Sequence, residues 1–332
     1  MLTVGLIGAG RIGRVHASTI VQDEGSQLVA VADSVDENAK NLAKLYKVNP
    51  RSVDAIFEDN SIEAILIASS TDTHSDFIEK ASKAGKAILC EKPVDLSLAR
   101  AKRCLENTKS NEHLIMMGFN RRFDPNFVAL KNALDGGEIG TAELLSITSF
   151  DPAPPPIDYV KVSGGIFKDM MIHDFDMANF LYGELPKSVF VSASAIIDKK
   201  IGVLGDYDTA VATLKYRDGR LAVIKNSRRA TYGYDQRIEV LGSKGLLQVQ
   251  NMVENSMVKS TEMGVESSKP EYFFLERYKS AYQNEWTAFV TAVKTKTPMP
   301  VSLSDGIAAL AIAEAAAASA EMGSEVEIAN FL

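Results

Sequence analysis

The stretch Gly8-Ala9-Gly10-Arg11-Ile12-Gly13 limits what this chain of 332 residues can fold into more than any other. An apolar run, Leu2 to Ile7, precedes it, and a helical segment reaching about Val21 follows it. Asp33 closes the next apolar run, Gln27 to Ala32, twenty residues after Gly13. Three glycines alone are a weak signal. With a strand before, a helix after and an acid at that distance they describe a dinucleotide-binding turn. Gly8 permits the tight turn, Gly10 lets backbone approach a pyrophosphate, and Gly13 lets helix and strand pack closely. Free N–H groups and the helix dipole would then receive the phosphates. Asp33 would accept from a ribose 2′-hydroxyl and repel a 2′-phosphate. With Ser34 next and no arginine beside it, NAD is expected over NADP.

The alternation continues past the first unit. A helix is expected over 36–46, a strand over 63–68, a helix over 76–84, a strand over 86–90, a helix over 98–108 and a strand over 114–117. Such alternation predicts a parallel, doubly wound Rossmann sheet with helices on both faces. Ligands bind beyond the carboxyl ends of such strands. Those ends carry Thr71 and His74, then Glu91-Lys92-Pro93, then Asn120-Arg121-Arg122. A lysine directly after an apolar strand, with a proline stiffening the turn, is placed to face a ligand and not bulk water.

The second half reads differently. Strands are expected over 143–150, 188–197, 208–216, 220–226, 236–241 and 245–249, with an Asp-Gly hairpin turn at Asp218-Gly219, so the pairing should be mostly antiparallel. The prolines at 154–156 read as a stiff extended connector. Between the strands, Gly164-Gly165 opens a helix that carries Asp169 and His173 four residues apart and on one face. A carboxylate that orients an imidazole makes a general base near neutral pH. A metal reading of Asp169, His173 and Asp176 competes, but the lysine expected at the same ligand opposes a dication. Two helices, about 278–294 and 304–322, finish the chain. An uncovered sheet face carrying Val, Ile and Tyr would be a large apolar patch, best hidden by pairing two copies.

Composition closes off other classes. The formal charge of −7, with basic residues scattered, gives no electrostatic case for nucleic acid or an anionic membrane. The most apolar long segment, 306–320, is interrupted by Glu314 and reads as too short to span a bilayer. Two cysteines, Cys90 and Cys104, are too few for a disulfide framework and suit a reducing cytoplasm.

The glycine motif, Glu91-Lys92-Pro93 and the Asp169/His173 pair, in that order, resemble the glucose-fructose oxidoreductase/inositol dehydrogenase/rhizopine-catabolism family, Gfo/Idh/MocA. The resemblance covers essentially the whole chain. Gly118 to Asp124, Asp151 to Pro156, Gly164 to Phe167 and Tyr232 to Asp235 are most similar to its inositol 2-dehydrogenases. The resemblance implies a Rossmann domain, taken as 1–120, and a substrate-binding α+β domain, taken as 121–332, with a large open sheet that pairs into dimers or tetramers. A homotetramer is the expected assembly.

It implies roles as well. Lys92 would touch cofactor and substrate, Asp169 would orient, and His173 would be the base in NAD-dependent oxidation of a cyclic polyol such as myo-inositol. NAD would be held by Gly8, Gly10, Arg11, Ile12, Gly13 and Asp33, with Ser34, Thr71, His74, Glu91, Lys92 and Arg121. The polyol would meet Lys92, Asn120, Arg121, Asp151, Asp169, His173 and Tyr234. Alternatives are oxidation of another sugar or a keto-inositol, or a ligand-sensing member without chemistry. One departure stands out: Phe150 occupies the position before Asp-Pro where such inositol dehydrogenases often carry a basic residue.

Overall fold

The structure, a computed structural model, describes residues 1–332 and divides into two compact units. The first comprises Met1–Phe123 and Ser280–Leu310, the second Asp124–Lys279 and Ala311–Leu332. The sequence-based boundary ran the second domain unbroken from 121 to 332; the structure gives 280–310 back to the first unit. Burial explains that return. Trp286 is fully buried and donates from Nε1 to Ser26 Oγ at 2.9 Å, which ties the helix Lys279–Thr295 to the amino-terminal sheet.

That sheet holds β1 (Leu2–Ile7), β2 (Ser26–Ala32), β3 (Asn49–Pro50), β4 (Ala64–Ile67), β5 (Ala87–Glu91) and β6 (Ile115–Gly118). The order is β3-β2-β1-β4-β5-β6, and every pair is parallel. β4 and β6 are buried at every position, which is why they read as unbroken apolar runs. The order reverses between β1 and β4, and a crevice at the carboxyl ends of the strands follows from that topology. Two short elements went unforeseen: β3 itself, and the helix Val53–Glu58, capped by Ser52 accepting from Ala55 N.

The second unit is built on β7 (Ala142–Phe150), β8 (Ser188–Ser194), β9 (Thr209–Lys215), β10 (Leu221–Ser227), β11 (Asp235–Gly242), β12 (Gly245–Val249) and, after an exposed hairpin of β13 (Val258–Thr261) and β14 (Gly264–Ser267), β15 (Val326–Glu327). The order is β12-β11-β7-β10-β9-β8-β15, antiparallel throughout except for β7 with β10. Its inner face is a cross-strand row of Val191, Ala212, Ile224, Ile147 and Ile238, all buried. One step along the strands the same face turns polar, where Asn226, Ser149 and Gln236 lie in register.

The outer face carries a different row. Leu221, Leu144, Leu241 and Leu246 are cross-strand neighbours, each 38–46% exposed, with Phe190 and Val211 also exposed. The exposed apolar face therefore exists, with leucine and phenylalanine beside the expected valine. The last helix, Leu303–Met322, runs 20 residues, which corrects the expectation of a segment too short to span a membrane. By length and composition it could cross one, yet Ala309 to Ala313 are fully buried in the protein, as in a core helix.

Candidate active site

One group of candidate residues surrounds the turn between β1 and the helix Arg11–Gln22. Gly8 has φ +102°, and a Cβ there would lie 2.3 Å from the Ala68 carbonyl oxygen. A Cβ on Gly13 would lie 1.9 Å from the Gly8 carbonyl oxygen, so only glycine allows helix and strand this close. A Cβ on Gly10 would meet no atom within 4 Å: the space there is open. The helix N-terminus has no side-chain cap and no acid in its first turn, so its N–H groups point at an anion's place with no competing carboxylate. Turn, room and donors all fit a pyrophosphate. Arg11 is exposed and Ile12 half-buried on that first turn.

Asp33, at the end of β2, accepts from Ala9 N at 2.6 Å through one oxygen and from Val35 N at 2.8 Å through the other. The carboxylate is thus fixed beside the glycine turn; Asn38 Nδ2 also reaches Oδ1 at 3.5 Å, and Oδ2, with one donor, keeps a lone pair for a ribose hydroxyl. Ser34 is exposed next to it, and Thr71 is half-buried at the end of β4. His74 behaves otherwise than as a cofactor contact. It is buried, with Nδ1 2.8 Å from the Pro93 carbonyl and Nε2 3.1 Å from the Ser69 carbonyl. Burial pushes its pKa below the ordinary value although both carbonyls favour the charged ring. Its ring joins the loops after β4 and β5 and so steadies the half-buried Lys92.

Glu91 also faces inward: Oε1 lies 2.7 Å from Nε2 of His16, which is buried on the glycine-turn helix. Asn120 and Arg121, after β6, are both buried to 4% exposure, and Arg122 reaches Asp305 at 3.2 Å.

A second group of candidate residues lies in the other unit. Gly164 and Gly165, at φ +84° and +81°, turn the chain into a π-helical segment, Phe167–Met171, which runs into the α-helix Ile172–Tyr182. The expected single helix is therefore a wider turn followed by a regular one, a feature frequent at functional sites. Asp169 and His173 straddle that junction, both half-buried.

The helix is fixed by the polar step in the sheet. Asp174, fully buried, accepts from Ser149 Oγ at 2.6 Å and Asn226 Nδ2 at 2.7 Å. The neighbouring His173 inherits that placement. Tyr159 Oη donates to Asp169 Oδ1 at 2.8 Å, and Arg228 Nη1 approaches Oδ2 at 3.5 Å. Asp151 is half-buried just past β7, its backbone bonded to Ser227 and Ala230. Tyr234 is buried edge-on to Tyr278 with ring centroids 5.9 Å apart. No three His, Cys, Asp or Glu side chains gather as metal ligands.

Residues 2–119 match the NAD-binding Rossmann-fold domain of an oxidoreductase family, and residues 127–248 match the GFO/IDH/MocA C-terminal domain. The chain belongs to the Gfo/Idh/MocA oxidoreductase family. The Inositol 2-dehydrogenase of Rhizobium meliloti (strain 1021) is 48% identical over 325 residues, 98% of each chain. The Myo-inositol 2-dehydrogenase of Thermotoga maritima is 45% identical over 329 residues, again 98% of each. The crystal structure of scyllo-inositol dehydrogenase from Lactobacillus casei with bound cofactor NAD(H) and scyllo-inositol superimposes with a TM-score of 0.92 at 27% identity, covering 99% of each chain.

Within this Gfo/Idh/MocA member the glycine turn and Asp33 lie in the NAD-binding Rossmann domain. Two groups beneath them escaped the sequence reading. His16 looked like one helical residue among others. Glu285, on the returning helix, is fully buried with neither oxygen hydrogen-bonded; burial, then the charge of Glu91, holds its pKa well above the ordinary carboxylate range. An acid on an amphipathic helix reads as a solvated face until tertiary structure shows otherwise. Arg228, 59 residues from Asp169, and Tyr159, on the short helix before Gly164, both reach Asp169 and likewise gave no signal in the sequence.

Proposed function

We propose that this oxidoreductase oxidises a secondary hydroxyl of myo-inositol or a closely related inositol to the ketone. The observation that carries the proposal is the anchored Asp169/His173 pair, on a helix pinned to the sheet by Asp174, in a chain that aligns end to end with inositol 2-dehydrogenases. Bound NAD would supply the hydride acceptor. His173 takes the hydroxyl proton, and Asp169 stabilises the imidazolium that results. Lys92 donates to the reacting oxygen and offsets the negative charge that develops there. The hydride leaves the carbon that bears this oxygen. Asn120, Arg121, Asp151 and the Tyr234 hydroxyl bond the remaining hydroxyls, and a site so built rejects analogues that lack them.

Two further parts belong to this reading. The leucine row on the outer sheet face supports assembly of copies through that face, up to a homotetramer, since an exposed apolar patch of that extent is rare on a monomer. The two free, buried cysteines support a reducing, cytoplasmic setting. Initial rates of NAD reduction across myo-inositol, scyllo-inositol and common aldoses test the substrate. An inositol with the highest kcat/KM is expected; preference for an aldose would refute the assignment.

A further inference from the structure

Arg228 is 1% exposed and lies between two carboxylates of the second unit. Its Nη1 is 3.5 Å from Asp169 Oδ2, and its Nη2 is 3.8 Å from Asp206 Oδ2. The backbone fixes all three. Arg228 N donates to the Asp208 carbonyl at 2.8 Å, while the Asp208 carboxylate accepts from the N–H groups of Ile196, Ile197 and Asp198 at 3.0, 2.8 and 3.0 Å. Asp206 Oδ1 accepts from Ile166 N at 2.8 Å, at the entrance to the segment that carries Asp169. The chain runs so tightly there that a Cβ on Gly165 would lie 2.8 Å from the same oxygen.

One guanidinium thus serves two carboxylates, only one of which is beside His173 in sequence. Other charged and titratable neighbours have partners of their own. The Tyr159 hydroxyl holds the second oxygen of Asp169, Lys168 pairs with Glu314 at 2.8 Å, and Asp174 faces Ser149 and Asn226. In a partly buried setting, charge on Arg228 reduces the support that Asp169 gives an imidazolium, and charge on Asp206 offsets Arg228.

We propose that Asp206, acting through the buried Arg228, is a positioning residue that sets the pH range in which His173 holds and releases its proton. The proposal rests on His173 being the base. Asp206 reaches no reacting atom; it balances Arg228 so that Asp169 keeps its negative character toward the imidazole while both its oxygens stay anchored.

The test is Asp206→Asn, which keeps an acceptor for Ile166 N and removes the charge. The His173 ring is titrated by NMR, assigned among the four histidines with His173→Ala, beside the pH profile of NAD reduction with myo-inositol. The midpoint of the ring titration should fall by about half a pH unit, as expected of a charge acting through one intervening group, and the rate profile should fall with it. An unmoved ring midpoint in folded Asp206→Asn overturns the proposal. A moved ring midpoint with an unmoved rate profile upholds the relay and removes His173 from the chemistry. Arg228→Lys covers a failure of Asp206→Asn to fold: it keeps the charge but loses the fork. It should lower kcat by about 10²-fold with little change in NAD affinity, and wild-type kcat there would likewise overturn the proposal.

Discussion

Asp33 accepts a hydrogen bond from the backbone N–H of Ala9 at 2.6 Å, so the acid expected to meet the ribose also braces the glycine turn. Asp33→Ala should therefore do two things. NADP should become usable as the repelling charge disappears, and NAD affinity should fall further than a lost ribose bond implies, because the turn loosens. Hydrogen bonds to a charged group contribute about 1.5–3 kcal/mol, or roughly 10- to 100-fold in Kd. Calorimetry with both cofactors checks this; wild type binding NADP as well as NAD would contradict the role of Asp33.

Much of the fold was legible because its signals are local. The β1 turn, the strand-end residues after β4, β5 and β6, and the hairpin strands all follow from glycine placement and from the change between helical and alternating periodicity. What stayed hidden depends on distant pairing. The parallel β7–β10 contact, the return of Trp286 and Glu285 to the first unit, and the π-turn under Asp169 leave no local trace. The departure at Phe150 has a structural counterpart: its cross-strand partner is Ser227, and Arg228 follows directly. A guanidinium reaches Asp169 from that neighbouring strand end, where the sequence alone showed only a missing base.

Glu285 should make stability pH-dependent. Its folded pKa lies well above the ordinary 4.5, by burial first and the Glu91 charge second. The stability it contributes is fully present below the unfolded value and is lost as pH rises toward the folded one. Glu285→Gln should flatten the decline in melting temperature between pH 5 and 8, with a gain at pH 8 of about 2–4 °C for each kcal/mol recovered. Parallel curves for the two proteins would mean that Glu285 is not held neutral.

The outer leucine row is proposed to carry the assembly. Wild type should sediment as a multiple of the 36.0 kDa chain at micromolar concentration, and Leu144→Glu with Leu241→Glu should shift it toward monomer. A 36.0 kDa wild-type species would rule out pairing through this face.

Lys92→Ala should lower kcat and weaken ternary-complex binding together, since its donor is proposed to act on the reacting oxygen beside the cofactor. Steady-state rates with varied myo-inositol at fixed NAD would separate the two effects. A change in KM alone would make Lys92 a binding residue only.

The proton-accepting role of His173 is tested most directly by the rate of NAD reduction with myo-inositol in His173→Ala, measured with NAD affinity on the same preparation. General acid–base catalysis contributes roughly 10²- to 10⁴-fold, so kcat should fall by that factor while the Kd for NAD stays near wild type. Wild-type turnover in His173→Ala between pH 7 and 9 would contradict it.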